Sequence, residues 1–306
     1  MIYEGASNDL GKLDHPNGAS HRIRCRQINS SDFEGVANLL AAGFRRHDRR
    51  YWLDVLQYLG DRKAPDGFPR YGYMLASGTR VVGVLLLIFA TLQNRVRCNL
   101  SSWYVEQDFR ALAPLLVSPV LKCKQVTFLN IWPATNTWST IEAMGFDRLS
   151  GGVFLCAPAL SARSIGAKIV LIGDSVRPEG YVPQCEVELL QDHERRGCLS
   201  ILCHTREDVY PFIFRRRLIR HGFKYSLIPC AQLIYCRDLE GFGRLAGPIG
   251  RFLAIRGMPL VLVGANAAIP NVIGKYFDNK SPVYYKGPDR PDLGDLLYTD
   301  VALFGV

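Results

Sequence analysis

The sequence lacks several things that would each set its class. None of its apolar runs is long enough to cross a bilayer. The longest, Val81–Ala90, has Gly83 inside it and falls well short of the roughly 20 residues a spanning helix needs. It reads instead as a core strand. The opening residues, MIYEGASNDLGKLDHPNG, lack the apolar centre of an export signal, so a cytoplasmic location is the default expectation. No CxxC pair occurs among the nine cysteines, Cys25, Cys98, Cys123, Cys156, Cys185, Cys198, Cys203, Cys230 and Cys236. The odd number argues against a complete disulfide framework. Cys198, Cys203 and His204 come nearest to a metal set, but Cys198–Cys203 reads as one strand. Free, mostly buried thiols and no metal site are therefore expected. No acidic or basic tail exists. The net charge of +9 divides into +5 over residues 1–157 and +4 over residues 158–306. The basic balance comes with no nucleic-acid-reading motif. At 48% apolar and 21% charged residues, the chain as a whole is not disordered.

What is present is a regular order of elements. Residues 1–20 read as a flexible leader. Ile23–Ile28 alternates as a half-buried strand does. Ser30 or Ser31 can cap a helix over Phe33–Ala42, and Tyr51–Leu59 gives a second amphipathic helix. Strands follow at Tyr71–Ala76, Arg80–Thr91 and Val96–Val105, the first two joined at Ser77-Gly78. Then come a helix over Arg110–Lys122, a strand at Gln125–Ile131, a helix at Thr137–Met144 and a strand at Gly152–Cys156. Residues 158–165 suit a linker. Beyond them the order is repeated: strand Lys168–Ile172, helix Val187–Arg195, strands Leu199–His204, Val209–Arg215 and Gln232–Cys236, helix Gly243–Arg256 and strand Leu260–Ala265. A short helix at Asn271–Tyr276 and a strand near Val283–Lys286 close the reading.

An internal match supports this repeat. Arg110-x-x-Ala113-Pro114-Leu115 aligns with Arg244-x-x-Gly247-Pro248-Ile249, and at the same offset Val126–Ile131 meets Leu260–Ala265. The expectation is two domains, 21–157 and 166–306, in which Arg110 and Arg244 open equivalent helices.

The segment from Val96 to Phe146 carries the chemistry. A strand ending at Trp103-Tyr104-Val105, a short loop, a helix opening at Arg110, a second strand and a closing Gly145-Phe146 together resemble the GNAT superfamily of acyl-CoA acyltransferases. The resemblance implies an α/β fold with a mixed sheet, in two tandem GNAT-like domains. In that family the loop before the helix reads Gln/Arg-x-x-Gly-x-Gly/Ala, and its N–H groups bind the pyrophosphate of coenzyme A. Unpaired amides and a positive dipole end suit an anion. The pattern maps onto Arg110, Ala111, Leu112, Ala113 and Leu115, with both family glycines replaced. The resemblance further implies that the backbone of Trp103 and Val105 meets the thioester and pantetheine of acetyl-CoA or another acyl-CoA substrate. Glu106 is the candidate base and Tyr104 the candidate acid. The family's usual tyrosine acid is replaced by Ile141 in the first half and Val272 in the second. The implied activity is acyl transfer to a small-molecule amine or hydroxyl acceptor. The alternative is a non-catalytic GNAT-fold protein that binds a ligand or partner.

Three weaker signals remain. Gly173-Asp174-Ser175 after a strand resembles the nucleophile block of SGNH hydrolases, but no histidine follows His221 to serve as base. Arginine outnumbers lysine 28 to 9, with runs at Arg45–Arg50 and Arg215–Arg220. These suit either solvated edges or an anionic ligand. His193, His204 and His221 stand isolated and read as structural.

Overall fold

A computed structural model describes residues 8–9, 23–161, 167–173, 182–221 and 226–305. Most of the expected leader, residues 162–165 of the expected linker, and Asp174 and Ser175 lie outside the described residues. The chain divides into two compact units, Met1–Leu129 and Asn130–Val306.

The first unit holds β1 (Asn8–Asp9), β2 (Ile23–Gln27), α1 (Phe33–Gly43), α2 (Arg49–Asp61), β3 (Gly72–Ser77), β4 (Arg80–Leu92) and β5 (Arg95–Val105). Each strand pairs antiparallel with the next. Local chemistry starts the helices. Asn29 and Asp32 form a reciprocal capping box on the turn leading into α1, and Asp48 accepts from the Tyr51 N–H to cap α2. Packing then holds them. Val36, Ala37, Leu39 and Leu40 of α1, and Trp52, Val55, Leu56 and Leu59 of α2, are buried. Each large side chain among them contributes about 1.5–3 kcal/mol, far more than helix propensity supplies. Residues 81–90 of β4 are buried throughout. The β4–β5 turn uses Gln93 and Asn94, both at positive φ, as a tight hairpin turn requires.

After β5 come a 3-10 turn (Gln107–Leu112), α3 (Pro114–Val117), a second turn (Val120–Lys122) and β6 (Val126–Ile131). The helix expected over Arg110–Lys122 is therefore broken into short pieces. Pro114 and Pro119 each lack an N–H and clash with the preceding turn, so the helix restarts at each one.

The second unit contains α4 (Trp138–Ala143), β7 (Asp147–Cys156), β8 (Lys168–Leu171), α5 (Gln184–Glu194), β9 (Leu199–His204), β10 (Val209–His221), β11 (Ser226–Cys236), α6 (Leu239–Ile255), β12 (Leu260–Ala265), β13 (Gly274–Lys286) and α7 (Asp300–Leu303). Its strands run in the order β13-β7-β12-β11-β10-β9-β8. All neighbours are antiparallel except β11 and β12. Phe154 and Cys156 of β7 pack with Phe212 and Phe214 of β10 and Phe242 and Leu245 of α6 in one core.

That core explains why the division falls at 129/130 and not within the expected linker 158–165. β7 was expected to close the first domain, but its ladders run to β12 and β13. Pro158–Leu160 is a 3-10 turn packed on α6. Two further expectations are corrected. Arg244 lies inside α6, which Asp238 caps, so Arg110 and Arg244 do not open equivalent helices. Asn271–Tyr276 forms no helix; Tyr276 pairs with Phe154 in the β13–β7 ladder.

Candidate functional site

The end of β5 is shaped by an irregularity. Val84 pairs with Tyr104 but Leu86 pairs with Ser101, so β5 carries one extra residue there, and Ser102 has φ near +50°. Such a bulge bends a strand and re-aims its side chains. Trp103 sits in it, and its buried Nε1 makes no hydrogen bond among the described residues. Val105 is buried and pairs with Gly83.

Tyr104 turns its ring onto α1. A Cβ on Gly43 would stand 2.5 Å from that ring, and Phe44 lies beside it with ring centroids 6.1 Å apart. From Phe44 the aromatic contacts continue to Trp52 at 5.5 Å, and from Trp52 to Tyr51 at 5.1 Å and His47 at 5.9 Å. No local pattern marks this chain of rings, because its members lie on the α1–α2 turn, on α2 and on β5.

Glu106 is placed differently from a free base. Its carboxylate is ion-paired with Arg80, which also lies over the Phe109 ring at 6.0 Å. Its backbone N–H donates to Val82 O at 3.0 Å. Arg110 and Ala111 are exposed, while Leu112, Ala113 and Leu115 are half-buried. All but Ala113 and Leu115 belong to the 3-10 turn, and the Leu115 carbonyl accepts from Cys25 Sγ at 3.3 Å. The expected phosphate cradle at the start of a long helix is thus replaced by a 3-10 turn and a four-residue α3. Ile141 is buried, 1% exposed.

In the second unit β11 is the strand that precedes α6. It runs parallel to β12 only from Cys230–Gln232 against Leu260–Leu262. Beyond that, the chain's own C-terminal segment lies along β11. Cys236 N–H donates to Gly294 O at 3.0 Å, Leu296 N–H donates to Ile234 O at 2.8 Å, and Tyr235 bridges Asp295. Gly294 has φ near +89°, and a Cβ there would stand 2.6 Å from Cys236 Sγ. His193 holds the segment further on. Its Nε2 accepts from the Tyr298 N–H at 3.2 Å, and its Nδ1 lies 2.9 Å from Leu189 O. Accepting at Nε2 requires the neutral ring, and burial pushes the His193 pKa down.

Glu186 lies under the same strand end, accepting from Tyr235 Oη at 2.9 Å and from Arg237 at 2.7 and 3.2 Å. Burial, then the Glu186 charge, raises the Tyr235 pKa, and the hydrogen bond to Glu186 raises that of Arg237. Arg244 lies over Tyr210 at 5.7 Å and beside Glu240 at 3.7 Å. All nine cysteines are free. No described helix is long and apolar enough to cross a membrane.

No protein-family model and no curated protein matches this sequence. Solved structures do match. A candidate acetyltransferase from Pyrococcus horikoshii aligns over 94% of this chain and 96% of its own, with TM-score 0.53 and 11% identity. A GCN5-related N-acetyltransferase from Anabaena variabilis aligns over 87% of this chain and 72% of its own, with TM-score 0.55 and 10% identity. One from Kribbella flavida aligns over 89% and 72%, with TM-score 0.50 and 14% identity. The chain has the mixed α/β fold of the GNAT superfamily.

Proposed function

We propose that the protein is an acyl-CoA-dependent acyltransferase, acting with acetyl-CoA or another acyl-CoA on a small amine or hydroxyl acceptor. We place its chemistry in the first unit and read the two halves as tandem GNAT-like repeats. The observation that carries the reading is the bulged end of β5 at Ser102–Trp103, set in a chain with this fold. In the second unit the end of β11 is already hydrogen-bonded to residues 294–296, which argues against that strand end taking a pantetheine arm.

The chemistry asked of the site is modest. The acceptor's nitrogen or oxygen attacks the thioester carbonyl, the C–S bond breaks, and the thiolate takes a proton as it leaves. Holding both reactants in line supplies much of the acceleration. The backbone of Trp103–Val105 is our candidate for the pantetheine and thioester. Arg110, with the turn through Ala111, Leu112, Ala113 and Leu115, is our candidate for the phosphates. Tyr104 is the candidate proton donor. Glu106 serves as base only if it leaves Arg80.

Two observations favour the second reading, a GNAT-fold binding protein without catalysis. Glu106 is engaged by Arg80, and a buried Ile141 stands where the family often has its acid. Thermal unfolding with and without acetyl-CoA, followed by single-turnover acyl transfer to a panel of amines, separates the two. Ligand at about 100 times its Kd adds roughly 2.7 kcal/mol of stability. Binding with no transfer supports the binding protein, and no binding overturns the acyltransferase.

A further inference from the structure

We propose that the cleft at the α1–α2 turn of the first unit binds an anionic group, a phosphate or carboxylate, carried by the acceptor. Only the word acceptor rests on the acyltransferase reading; the anion site stands on its own observations.

The turn is tight. Phe44 N–H donates to Leu40 O at 2.8 Å and His47 N–H to Phe44 O at 3.0 Å, and Asp48 then caps α2. This compression gathers Arg45, Arg46, His47, Asp48, Arg49 and Tyr51 around one open cleft of about 740 Å³. The charges do not cancel there. Arg49 is ion-paired with Glu34, and the Asp48 carboxylate accepts from the Tyr51 N–H at 2.9 Å. Arg45 and Arg46 are exposed and make no ion pair among the described residues, and Asp48 is the one carboxylate among the residues that line the cleft, so the arginines outnumber it there. A guanidinium offers a planar fork of donors that matches a phosphate or carboxylate in a bidentate contact.

The cleft also has a firm wall. The His47 ring lies flat on Tyr51, centroids 4.0 Å apart and planes 22° apart, with Trp52 edge-on at 5.9 Å. Burial, and then the Arg46 charge, holds the His47 pKa below its ordinary value against the opposing pull of Asp48. The charged form of the imidazole is therefore disfavoured in the empty cleft. The imidazole contributes a flat face and a ring nitrogen.

Position connects this cleft to the acceptor. Trp52 touches Phe44, and Phe44 touches Tyr104, so the wall of the cleft and the candidate proton donor share one aromatic cluster. Phe44 immediately precedes Arg45 in the chain, so the two arginines begin one residue from the ring that packs on the candidate proton donor.

The test is calorimetry with malonate, inorganic phosphate and uncharged malonamide as separate probes, and with coenzyme A as an independent titrant. The proteins are wild type, the double variant Arg45→Gln/Arg46→Gln, and Arg50→Gln as a neighbouring control. Malonate or phosphate is expected to bind wild type and the control, at least about tenfold more weakly to the double variant, while malonamide does not bind. The stronger of the two anions identifies the headgroup. Unchanged coenzyme A affinity in the double variant supports the assignment. Absence of anion binding in wild type, or equal binding in the double variant, overturns the site. Parallel loss of coenzyme A binding overturns the acceptor assignment, because the cleft then holds the coenzyme's own phosphates. Anion binding that depends on the two arginines, in a protein that takes no coenzyme A, keeps the anion site and removes only the acyltransferase reading. Both arginines are exposed, so matched unfolding curves show that the double variant is folded.

Discussion

β5 and β11 each end a run of successive antiparallel strands, and each is followed by helical structure and another strand. β5 ends in a bulge that lifts Trp103 and turns Tyr104 onto α1. β11 ends against the chain's own residues 294–296. A strand end whose N–H and C=O groups are already paired has little to offer a ligand backbone. The comparison teaches that one element order can yield a candidate site in one unit and a self-filled one in the other. Overall fold does not choose between them; local pairing does.

The largest effect is expected where that filling depends on one residue. Gly294 has a positive φ and no room for a Cβ beside Cys236 Sγ. Gly294→Val combines backbone strain with overpacking and should cost about 3 kcal/mol or more, read as a lower urea midpoint. If the midpoint is unchanged, the segment does not hold β11, and the contrast between the units fails. The matching change in the first unit is Tyr104→Phe. It keeps the ring against Gly43 and removes only the hydroxyl. If Tyr104 protonates the leaving thiolate, single-turnover acyl transfer should fall about 10²-fold or more with stability nearly unchanged. Equal rates would remove Tyr104 from the chemistry.

The third prediction concerns pH. Burial depresses the His193 pKa in the folded chain, outweighing the coulombic pull of Asp192 and Asp295 in the other direction. The unfolded chain takes up a proton near pH 6.5, and the folded chain does so only at lower pH. Stability from this group is therefore fully present above about pH 6.5 and is lost as pH falls below it. Urea midpoints of wild type from pH 8 to pH 5 should show this decline, and His193→Gln should flatten part of it. A wild-type midpoint that rises on acidification contradicts the neutral, accepting role of Nε2.

Much of the fold was legible in the sequence for reasons the structure makes plain. Strands such as Leu199–His204 and Leu260–Ala265 carry dense apolar residues between turn signals, and the structure gives the same limits. Helix α2 was legible because its apolar face repeats at helical spacing. The failures have physical causes too. Pro114 and Pro119 outweighed the helical pattern around them. Tyr276 became a strand residue because β7 offered it a partner, and pairing with a distant strand leaves no local trace. The same holds for the candidate site. Arg45–Arg50 was visible as a charge run, but the cleft it lines and the rings behind it depend on tertiary contact. The C-terminal segment gave only Gly294 and a few acidic residues as signals, and nothing local identifies β11 as their destination.

The smallest expected effect lies at Glu106, and it tests the first unit against its own sequence reading. Glu106 and Arg80 form an ion pair with side chains 31% and 64% exposed. Water screens such a pair, so it is worth about 0–1 kcal/mol. Glu106→Gln should therefore move the unfolding midpoint by no more than about 0.5 kcal/mol equivalent. Its effect on acyl transfer is the informative quantity. A carboxylate that serves only as the partner of Arg80 can be replaced with little change in rate. A general base that exchanges Arg80 for the acceptor cannot, and its loss costs about 10²–10⁴-fold. Measuring transfer by Glu106→Gln and by Arg80→Gln together separates the roles. If Glu106 is a base restrained by its partner, Arg80→Gln frees it and holds or raises the rate while Glu106→Gln abolishes it. If the pair is structural, the two variants behave alike, and the base must be sought on the α1–α2 side, where His47 stands in the cleft.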